Sequence, residues 1–394
     1  MLPDYVAGNR LTLLKNGDQY FPALLDAIDS ATREVFVETY IFADDDIGSR
    51  VAAALARAAL RGVQVHLLLD GFGARDFAPR FREMLEVAGA QVLVFRPKIS
   101  PLTLRRSRLR RMHRKIACID AVIAFVGGIN IIDDSNTPGQ LPPRHDYAVR
   151  VEGPLAALTR GAAARLWTHV TWASLGRRRP QLSDLARRPA PMRLANNAPS
   201  AGNCRAALVL RDSLRHRRDI EEAYVERITA AQTEVVIANA YFFPGPRFRR
   251  ALRAAARRGV RVVLLLQGRV DHALLHYASR ALYRTLLEAG VEIHEYHRGF
   301  LHEKVAVFDA QVATVGSSTI DPFSFLMAKE ANVFVADTGF AEQLRASVNE
   351  ALERGARQVR LQRWRRLSWW LAIRIRLTYA IARLMMAIAG YGKR

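Results

Sequence analysis

The chain has 394 residues, of which 50% are hydrophobic, and this is enough for a sizeable core and excludes a disordered protein. Its formal net charge of +22, from 59 Lys and Arg against 37 Asp and Glu, favours contact with a polyanion. Nucleic acid and an anionic membrane surface both remain open.

The cysteine content points to a reducing compartment. Two cysteines, Cys118 and Cys204, cannot form a disulfide framework, and Cys118 lies in an apolar strand pattern where a small buried side chain is expected. The first residues, MLPDYVAGNRLTLLKNGDQ, show no basic segment followed by an apolar run, so we predict no secretory signal. The active part is therefore expected to face the cytoplasm.

The first predicted elements form a β-α-β unit that occurs twice. A β-branched and aromatic run, TREVFVETYIF (32–42), precedes the helical pattern RVAAALARAALRG and the short buried strand VQVHLLLDG. The same order recurs in TEVVIANAYFF (233–243), RFRRALRAAARRG and VRVVLLLQG, and Gly62 and Gly259 are placed to end the two helices. This pattern predicts a duplicated α/β domain rather than a solenoid.

A segment rich in Pro, Gly, Asn and Arg (176–203) separates the two copies and lacks periodicity, which is typical of a linker. We therefore predict two halves, residues 1–185 and 206–360, joined by a linker at 186–205. A tail at 361–394 follows them.

The tail contains an apolar stretch, residues 367–389, that is long enough to span a bilayer. Three arginines interrupt it, each costing about 2.5–3.5 kcal/mol at the centre of a membrane helix, so spanning is disfavoured. They are Arg374, Arg376 and Arg383. We predict a helix lying in the membrane interface; docking on the protein's own core is the alternative.

Each half carries one copy of a histidine, lysine and aspartate motif. The first copy lies in MHRKIACIDAVIAFVGGIN (112–130) and the second in LHEKVAVFDAQVATVGSST (301–319), with identical offsets. The motif residues are His113, Lys115 and Asp120 in the first copy, and His302, Lys304 and Asp309 in the second.

On a strand, the histidine and lysine of each motif point to the same face. If the halves bring both pairs together, two imidazoles and two ammonium groups suit a phosphodiester. One histidine attacks phosphorus, the other protonates the leaving oxygen, and the lysines neutralise the phosphoryl oxygens. For the aspartates, a turn residue or an ion-pair partner behind the site is the alternative.

A nucleophilic histidine needs an acceptor on its other ring nitrogen. Glu330 and Asp146 stand at comparable places in the two halves, so we expect Glu330 to orient His302 and Asp146 to orient His113. Solvated surface carboxylates are the alternative. Neither motif pairs its histidine with a second histidine or cysteine at a zinc spacing, and lysine is no ligand, so no metal or cofactor is expected.

These motifs, H-x-K-x-x-x-x-D followed by FVGGIN or TVGSST, resemble the signature of the phospholipase D superfamily. Nearly the whole chain is similar to its bacterial cardiolipin synthase B branch, through NGDQYFPALLDAI, FVETYIFADDDIG, DYAVRVEGP, IANAYFFPG and TVGSSTIDPFS. The resemblance implies an α/β fold of two phospholipase D-like domains, with mixed or parallel sheets flanked by helices and related by a pseudo-two-fold axis. It also implies the condensation of two phosphatidylglycerols into cardiolipin, with glycerol released, through a phosphohistidine and without metal.

Carried over to this chain, the resemblance makes the six motif residues catalytic, with His113 as nucleophile and His302 as acid and then base; the internal symmetry keeps the reverse assignment open. It implies phosphate contacts by Asn130, Ser317, Ser318 and Thr319. Two departures, Gly128 for a common serine and Thr319 for a usual asparagine, are expected to tune activity rather than abolish it.

Two further sets of residues are candidates for substrate contact. Tyr40, Tyr241 and Asn239, at the ends of repeated strands, line the acceptor pocket or belong to the core. Arginines just ahead of the first motif, mixed with leucines, favour contact with lipid headgroups over a solvated face. They are Arg105, Arg106, Arg108, Arg110, Arg111 and Arg114.

The expected partner is an anionic phospholipid, phosphatidylglycerol or cardiolipin, met at the cytoplasmic face of the cell membrane by a peripheral or monotopic protein. A nuclease or phosphodiesterase of the same superfamily is the main rival, and its charge would supply phosphate contacts. A phospholipase and a non-catalytic adaptor are weaker rivals. The apolar tail argues against a nuclease, while the acceptor alcohol and the oligomeric state stay open.

Overall fold

The computed structural model describes residues 3–97, 110–175, 198–212, 216–270, 273–321, 328–365 and 369–388. The chain forms two compact units. The N-terminal unit comprises residues 4–133 and 148–208, and the C-terminal unit comprises residues 134–147 and the chain from Val209 onward. Residues 134–147 thus belong to the C-terminal unit, although they precede the linker predicted from the sequence.

The N-terminal unit is built on one mixed sheet. Its strands are β1 (Val6–Lys15), β2 (Glu34–Thr39), β3 (Gln64–Asp70), β4 (Gln91–Phe95), β6 (Ile116–Ile119), β7 (Ile123–Gly127), β9 (Tyr147–Glu152) and β10 (Cys204–Arg211), with a short β5 (Arg111–Met112) before β6. Their order is β10, β1, β9, β7, β6, β2, β3, β4. β2, β3 and β4 are parallel, while β6, β7 and β9 run antiparallel to their neighbours.

Helices cover both faces of this sheet. They are α1 (Asn16–Asp29), α2 (Asp46–Leu60), α3 (Pro79–Val87) and α4 (Pro154–Leu175). Val35 and Val37 belong to the core under α1, α2 and α3, whereas Phe36, which alternates with them along β2, packs against Trp167 of α4. Such strands are buried on both faces, which explains their continuous apolar sequences.

The C-terminal unit repeats this topology. Its strands are β8 (Arg144–His145), β11 (Glu234–Asn239), β12 (Arg261–Gln267), β13 (Glu292–Tyr296), β14 (Phe300–Leu301), β15 (Lys304–Phe308), β16 (Val312–Gly316), β17 (Ala328–Ala336) and β18 (Ala356–Gln358). The sheet order is β18, β13, β12, β11, β15, β16, β17, with β11, β12 and β13 parallel. β8 and β14 form a separate parallel pair. The predicted duplication of an α/β domain is confirmed.

The helices of the C-terminal unit are α5 (Asp219–Ala230), α6 (Pro246–Arg257), α7 (Ala273–Arg280), α8 (Tyr283–Leu287), α9 (Thr338–Gly355), α10 (Leu361–Arg365) and α11 (Trp369–Ile388). α5, α6, α8 and α7 are successive neighbours, and α9 packs against β13, β15 and β16. As predicted, Gly259 follows a helix in the left-handed conformation, with φ +91°, as Gly62 does with φ +88°.

The tail helix α11 packs against its own unit, which was the alternative to a purely interfacial helix. Ile375 and Ala382 are buried, and α11 lies along α7. The guanidinium of Arg374 lies 4.1 Å from the ring centre of Tyr277 on α7. Only one face of α11 is used in this way.

The opposite face of α11 carries an exposed apolar row. Its members recur every three or four residues, which is the spacing of one helix face. They are Trp370, Ile373, Leu377, Ile381 and Leu384, each at least 41% exposed. Among the described residues, no helix combines the length and the hydropathy that a transmembrane crossing requires.

Candidate functional site

The second motif lies at the junction of β14 and β15. β14 pairs in parallel with β8, and the backbone N–H of His302 donates to the carbonyl of His145 at 2.8 Å. This pairing brings Asp146, the next residue along the chain, beside His302. The Nδ1 atom of His302 lies 2.6 Å from Oδ2 of Asp146.

Lys304 completes a buried cluster with these two residues. Its Nζ lies 3.2 Å from Oδ2 of Asp146 and also donates to the carbonyl of His302. Lys304 is fully buried and Asp146 is 2% exposed, so both charges lie out of water and compensate each other.

Burial lowers the pKa of His302, and the charge of Lys304 lowers it further, while Asp146 opposes both. Burial acts to raise the pKa of Asp146, but Lys304 and His302 outweigh it and the pKa is lowered. In the free protein the imidazole is therefore neutral. Nδ1 lies within 2.7 Å of both Nζ of Lys304 and Oδ2 of Asp146, and because the carboxylate can only accept, we assign the ring proton to Nδ1, directed at Asp146. Nε2 then carries the lone pair.

This geometry gives a different pairing from the one expected. Asp146 was expected to orient His113, and it contacts His302. Glu330 was expected to orient His302, but in the C-terminal unit its carboxylate accepts from the hydroxyl of Ser317 and lies 3.5 Å from Arg211. The two carboxylates occupy comparable places in the sequence, so only the β8–β14 pairing reveals which histidine Asp146 serves.

The residues expected to hold phosphate differ in their contacts. Ser317 is fully buried and bonded to Glu330, and the hydroxyl of Thr319 donates to Asp321. The buried hydroxyl of Ser318 has no hydrogen-bond partner among the described residues. A buried hydroxyl without a partner costs free energy, so Ser318 is the member of this set best suited to an incoming oxygen.

The first motif lies between β5 and β6. Nζ of Lys115 donates to the carbonyl of His113 at 2.8 Å and lies 5.4 Å from the ring centre of Tyr40. The rings of Tyr40 and His113 meet edge to face at 4.7 Å. Tyr40 therefore lies against both the histidine and the lysine of this motif. Asn130 accepts from the backbone N–H of Ile41 at 3.1 Å, which fixes the loop after β2.

In the C-terminal unit, Asn239 is fully buried and accepts from the backbone N–H of Ile320 at 3.2 Å, while Tyr241 is half-buried. Asn130 and Asn239 each join the same two segments of their own unit, but the acceptor differs: Asn130 follows β7 and accepts from the loop after β2, whereas Asn239 ends β11 and accepts from the segment after β16. Its side chain thus supports a loop.

The arginines before the first motif do not share one environment. Arg114, expected among the headgroup contacts, is buried and forms an ion pair with Glu38 at 2.7 Å. That expectation is wrong for this residue, because its guanidinium is buried and held by the carboxylate of Glu38 rather than presented at the surface. Arg111 lies 5.4 Å from the ring centre of Phe72. Arg105, Arg106 and Arg108 lie outside the described residues.

The motif aspartates, expected to be catalytic, stand at hairpin turns. Asp120 and Asp309 adopt left-handed φ values of +54° and +52° at the ends of β6 and β15 away from the histidines. The carboxylate of Asp120 accepts from the backbone N–H groups of Thr32, Arg33 and Glu34. Asp309 accepts from the corresponding residues Gln232, Thr233 and Glu234.

These contacts make the aspartates anchors of the sheet. Burial acts to raise the pKa of Asp120, but the backbone hydrogen bonds outweigh it and lower the pKa, and the same holds for Asp309. Both aspartates therefore occupy turn positions, as in the alternative given for them from the sequence.

The comparisons with known proteins agree with this architecture. A family model described as "Cardiolipin synthase, PLD-like domain" matches residues 24–157 and 224–352. Cardiolipin synthase B of Escherichia coli (strain K12) is 39% identical over 393 residues, which cover 98% of this chain and 90% of that protein. Cardiolipin synthase A of Pseudomonas fluorescens is 32% identical over 340 residues, covering 86% of this chain and 67% of that protein.

Among solved structures, phosphatidylserine synthase of Haemophilus influenzae matches 98% of this chain and 95% of its own, with a TM-score of 0.71 at 12% identity. At that identity the likeness shows the fold alone. The two matched segments of the family model and the near full-length relatives establish that the chain belongs to the cardiolipin synthase family with a duplicated phospholipase D-like domain.

Proposed function

We propose that the protein is a phosphatidyltransferase that forms cardiolipin from two phosphatidylglycerols and releases glycerol. The observation that carries this proposal is the buried cluster of His302, Asp146 and Lys304. It offers a neutral imidazole oriented through Nδ1, and beside it an ammonium able to neutralise a phosphoryl oxygen. The family of the chain supports the lipid substrate.

The proposed reaction has two displacements. Nε2 of His113 attacks phosphorus, the bond from phosphorus to the glycerol oxygen breaks, and His302 gives that oxygen its proton. A hydroxyl of the second phosphatidylglycerol then loses its proton to His302 and attacks phosphorus, which breaks the bond to His113. Lys115 and Lys304 neutralise the phosphoryl oxygens in both steps.

Substrate binding supplies the protonated state that His302 needs. Burial lowers the pKa of His302 in the free protein, and a phosphodiester anion held nearby raises it again, as an opposite charge does. The acid is therefore formed in the complex with substrate rather than before it. A bell-shaped dependence of the rate on pH is expected.

The test is to incubate the purified protein with labelled phosphatidylglycerol in mixed micelles and to follow lipid products and glycerol. Cardiolipin and glycerol in equal amounts are expected, and His302→Ala abolishes both. Phosphatidic acid without cardiolipin would indicate a phospholipase. Cleavage of labelled single-stranded DNA, with no lipid product, would indicate the nuclease.

We further infer that the protein docks on the anionic surface of a membrane through the exposed row of α11. Apolar side chains of this kind enter the boundary between headgroups and acyl chains. α6, in the same unit, adds positive charge, because Arg247, Arg250 and Arg257 are exposed and its sequence, PRFRRALRAAAR, contains no acidic residue. The predicted cytoplasmic face of the membrane remains part of this proposal.

Vesicle sedimentation tests the docking. We expect the triple variant Trp370→Ser, Ile373→Ser, Leu377→Ser to bind phosphatidylglycerol vesicles at least about tenfold more weakly, because apolar area no longer leaves water. Leu60→Ser with Val87→Ser, which removes two even more exposed apolar side chains from the N-terminal unit, is the control. Unchanged sedimentation of the triple variant would contradict the docking.

A further inference from the structure

The last residue of one parallel strand in each unit holds the backbone just before a motif histidine. Asp70 ends β3, and its Oδ2 accepts from the backbone N–H of Met112 at 2.7 Å. Gln267 ends β12, and its Oε1 accepts from the backbone N–H of Leu301 at 3.3 Å. Met112 and Leu301 immediately precede His113 and His302.

The repeat makes this contact more than a local coincidence. Asp70 and Gln267 occupy the same position in VHLLLDG and VVLLLQG, and the two units form the contact separately. β5 and β14 are only two residues long, so a ladder of backbone hydrogen bonds cannot hold them firmly. A buried side-chain acceptor from a central strand provides that hold, since Asp70 is fully buried and Gln267 is 6% exposed.

The two contacts differ in charge. The other carboxylate oxygen of Asp70 accepts from the backbone N–H groups of Phe72 and Gly73, at 2.8 and 3.1 Å. Burial raises the pKa of Asp70, while the three backbone donors and the charge of Arg111 act in the opposite direction. The charge of Asp70 also acts on Arg96, so two arginines of the same unit lie within its field. Gln267 is a neutral amide and donates to the side chain of Gln140 at 3.4 Å. The first motif therefore has a negative charge close behind it that this position of the second motif lacks.

We propose that Asp70 and Gln267 are positioning residues that hold the two motif histidines in place, and that the charge of Asp70 adapts His113 to carry the covalent intermediate. The second part rests on the proposed function. An imidazole phosphorylated on Nε2 that keeps its Nδ1 proton is cationic, and a nearby carboxylate stabilises that cation. The neutral Gln267 leaves His302 to exchange a proton in both steps.

The test separates position from charge by using glycerol release from phosphatidylglycerol, which reports transfer and hydrolysis alike. Asp70→Glu keeps the charge but displaces the acceptor, whereas Asp70→Asn removes the charge and keeps one oxygen acceptor at the same position, with its NH2 on the side of the other oxygen. We expect Asp70→Glu to lower kcat at least tenfold without moving the pH profile. We expect Asp70→Asn to move the acid limb of kcat/KM to lower pH by about half a unit or more, because His113 loses a favourable charge.

Gln267→Glu makes the converse change by adding a charge at the equivalent position of the second motif. It is expected to move the alkaline limb of the kcat/KM profile to higher pH, because the new charge favours protonated His302. Asp337→Asn, at the N-cap of α9, is the control that should move neither limb. If the profile of Asp70→Asn superimposes on that of the parent after scaling, the charge assignment fails. Full kcat in Asp70→Glu overturns the positioning role. Failure of the parent to form cardiolipin, with glycerol still released, would count against the proposed transfer and leave this test intact.

Discussion

Replacing Asp146 by Asn removes the negative charge that contacts both Lys304 and His302. The carboxylate lies 2.6 Å from Nδ1 of His302 and 3.2 Å from Nζ of Lys304, with 2% of the residue exposed. An amide keeps one acceptor but no charge, and it does not fix the ring tautomer. We expect kcat to fall about a thousandfold, equivalent to ~4 kcal/mol of transition-state stabilisation.

The same substitution leaves a buried ammonium without its counter-charge. Breaking a buried pair in this way costs about 3–5 kcal/mol of unfolding free energy, so rates must be measured well below the midpoint of thermal unfolding. Asp337→Ala is the matched control, because it removes the N-cap acceptor of Phe340 on α9 and should cost about 1 kcal/mol without changing kcat. A rate for Asp146→Asn within tenfold of the parent, in folded protein, would refute the role given to Asp146.

Two further predictions concern stability. His66 is stacked on Phe36 and packed against Trp167, and burial lowers its pKa from 6.5 to about 4. As the pH falls from 6.5 to 4, the unfolded chain takes up this proton before the folded protein does. The free energy of unfolding therefore falls by up to about 3 kcal/mol over this range. His66→Phe should reduce that loss in urea unfolding followed by circular dichroism, and an unchanged pH dependence would contradict the assignment. Asp120→Ala should lower the unfolding free energy by about 2 kcal/mol or more, through lost backbone hydrogen bonds and a left-handed φ, yet keep kcat within a few-fold. A hundredfold loss of kcat in folded Asp120→Ala would restore a catalytic role.

The sequence by itself determined what depends on local patterns. Apolar periodicity and the glycines at helix ends gave the two β-α-β units, and the repeated offsets of His113 and Lys115 located the motifs within them. These features follow from the geometry of the backbone over a few residues, so no distant contact is needed to recognise them. The sequence placed Arg114 with the arginines expected to contact headgroups, whereas in the structure it is buried and pairs with Glu38.

Tertiary structure alone decided which distant groups meet. Asp146 reaches His302 across 156 residues because β8 pairs with β14, and the sequence offers two carboxylates at comparable places. Likewise, Asp120 could be assigned to a turn only once its bonds to the strand of Glu34 were visible. Contacts of this kind depend on strand pairing and helix docking, which sequence periodicity does not encode. Which face of α11 is docked and which is exposed also depends on helix docking, so the sequence alone could not decide it.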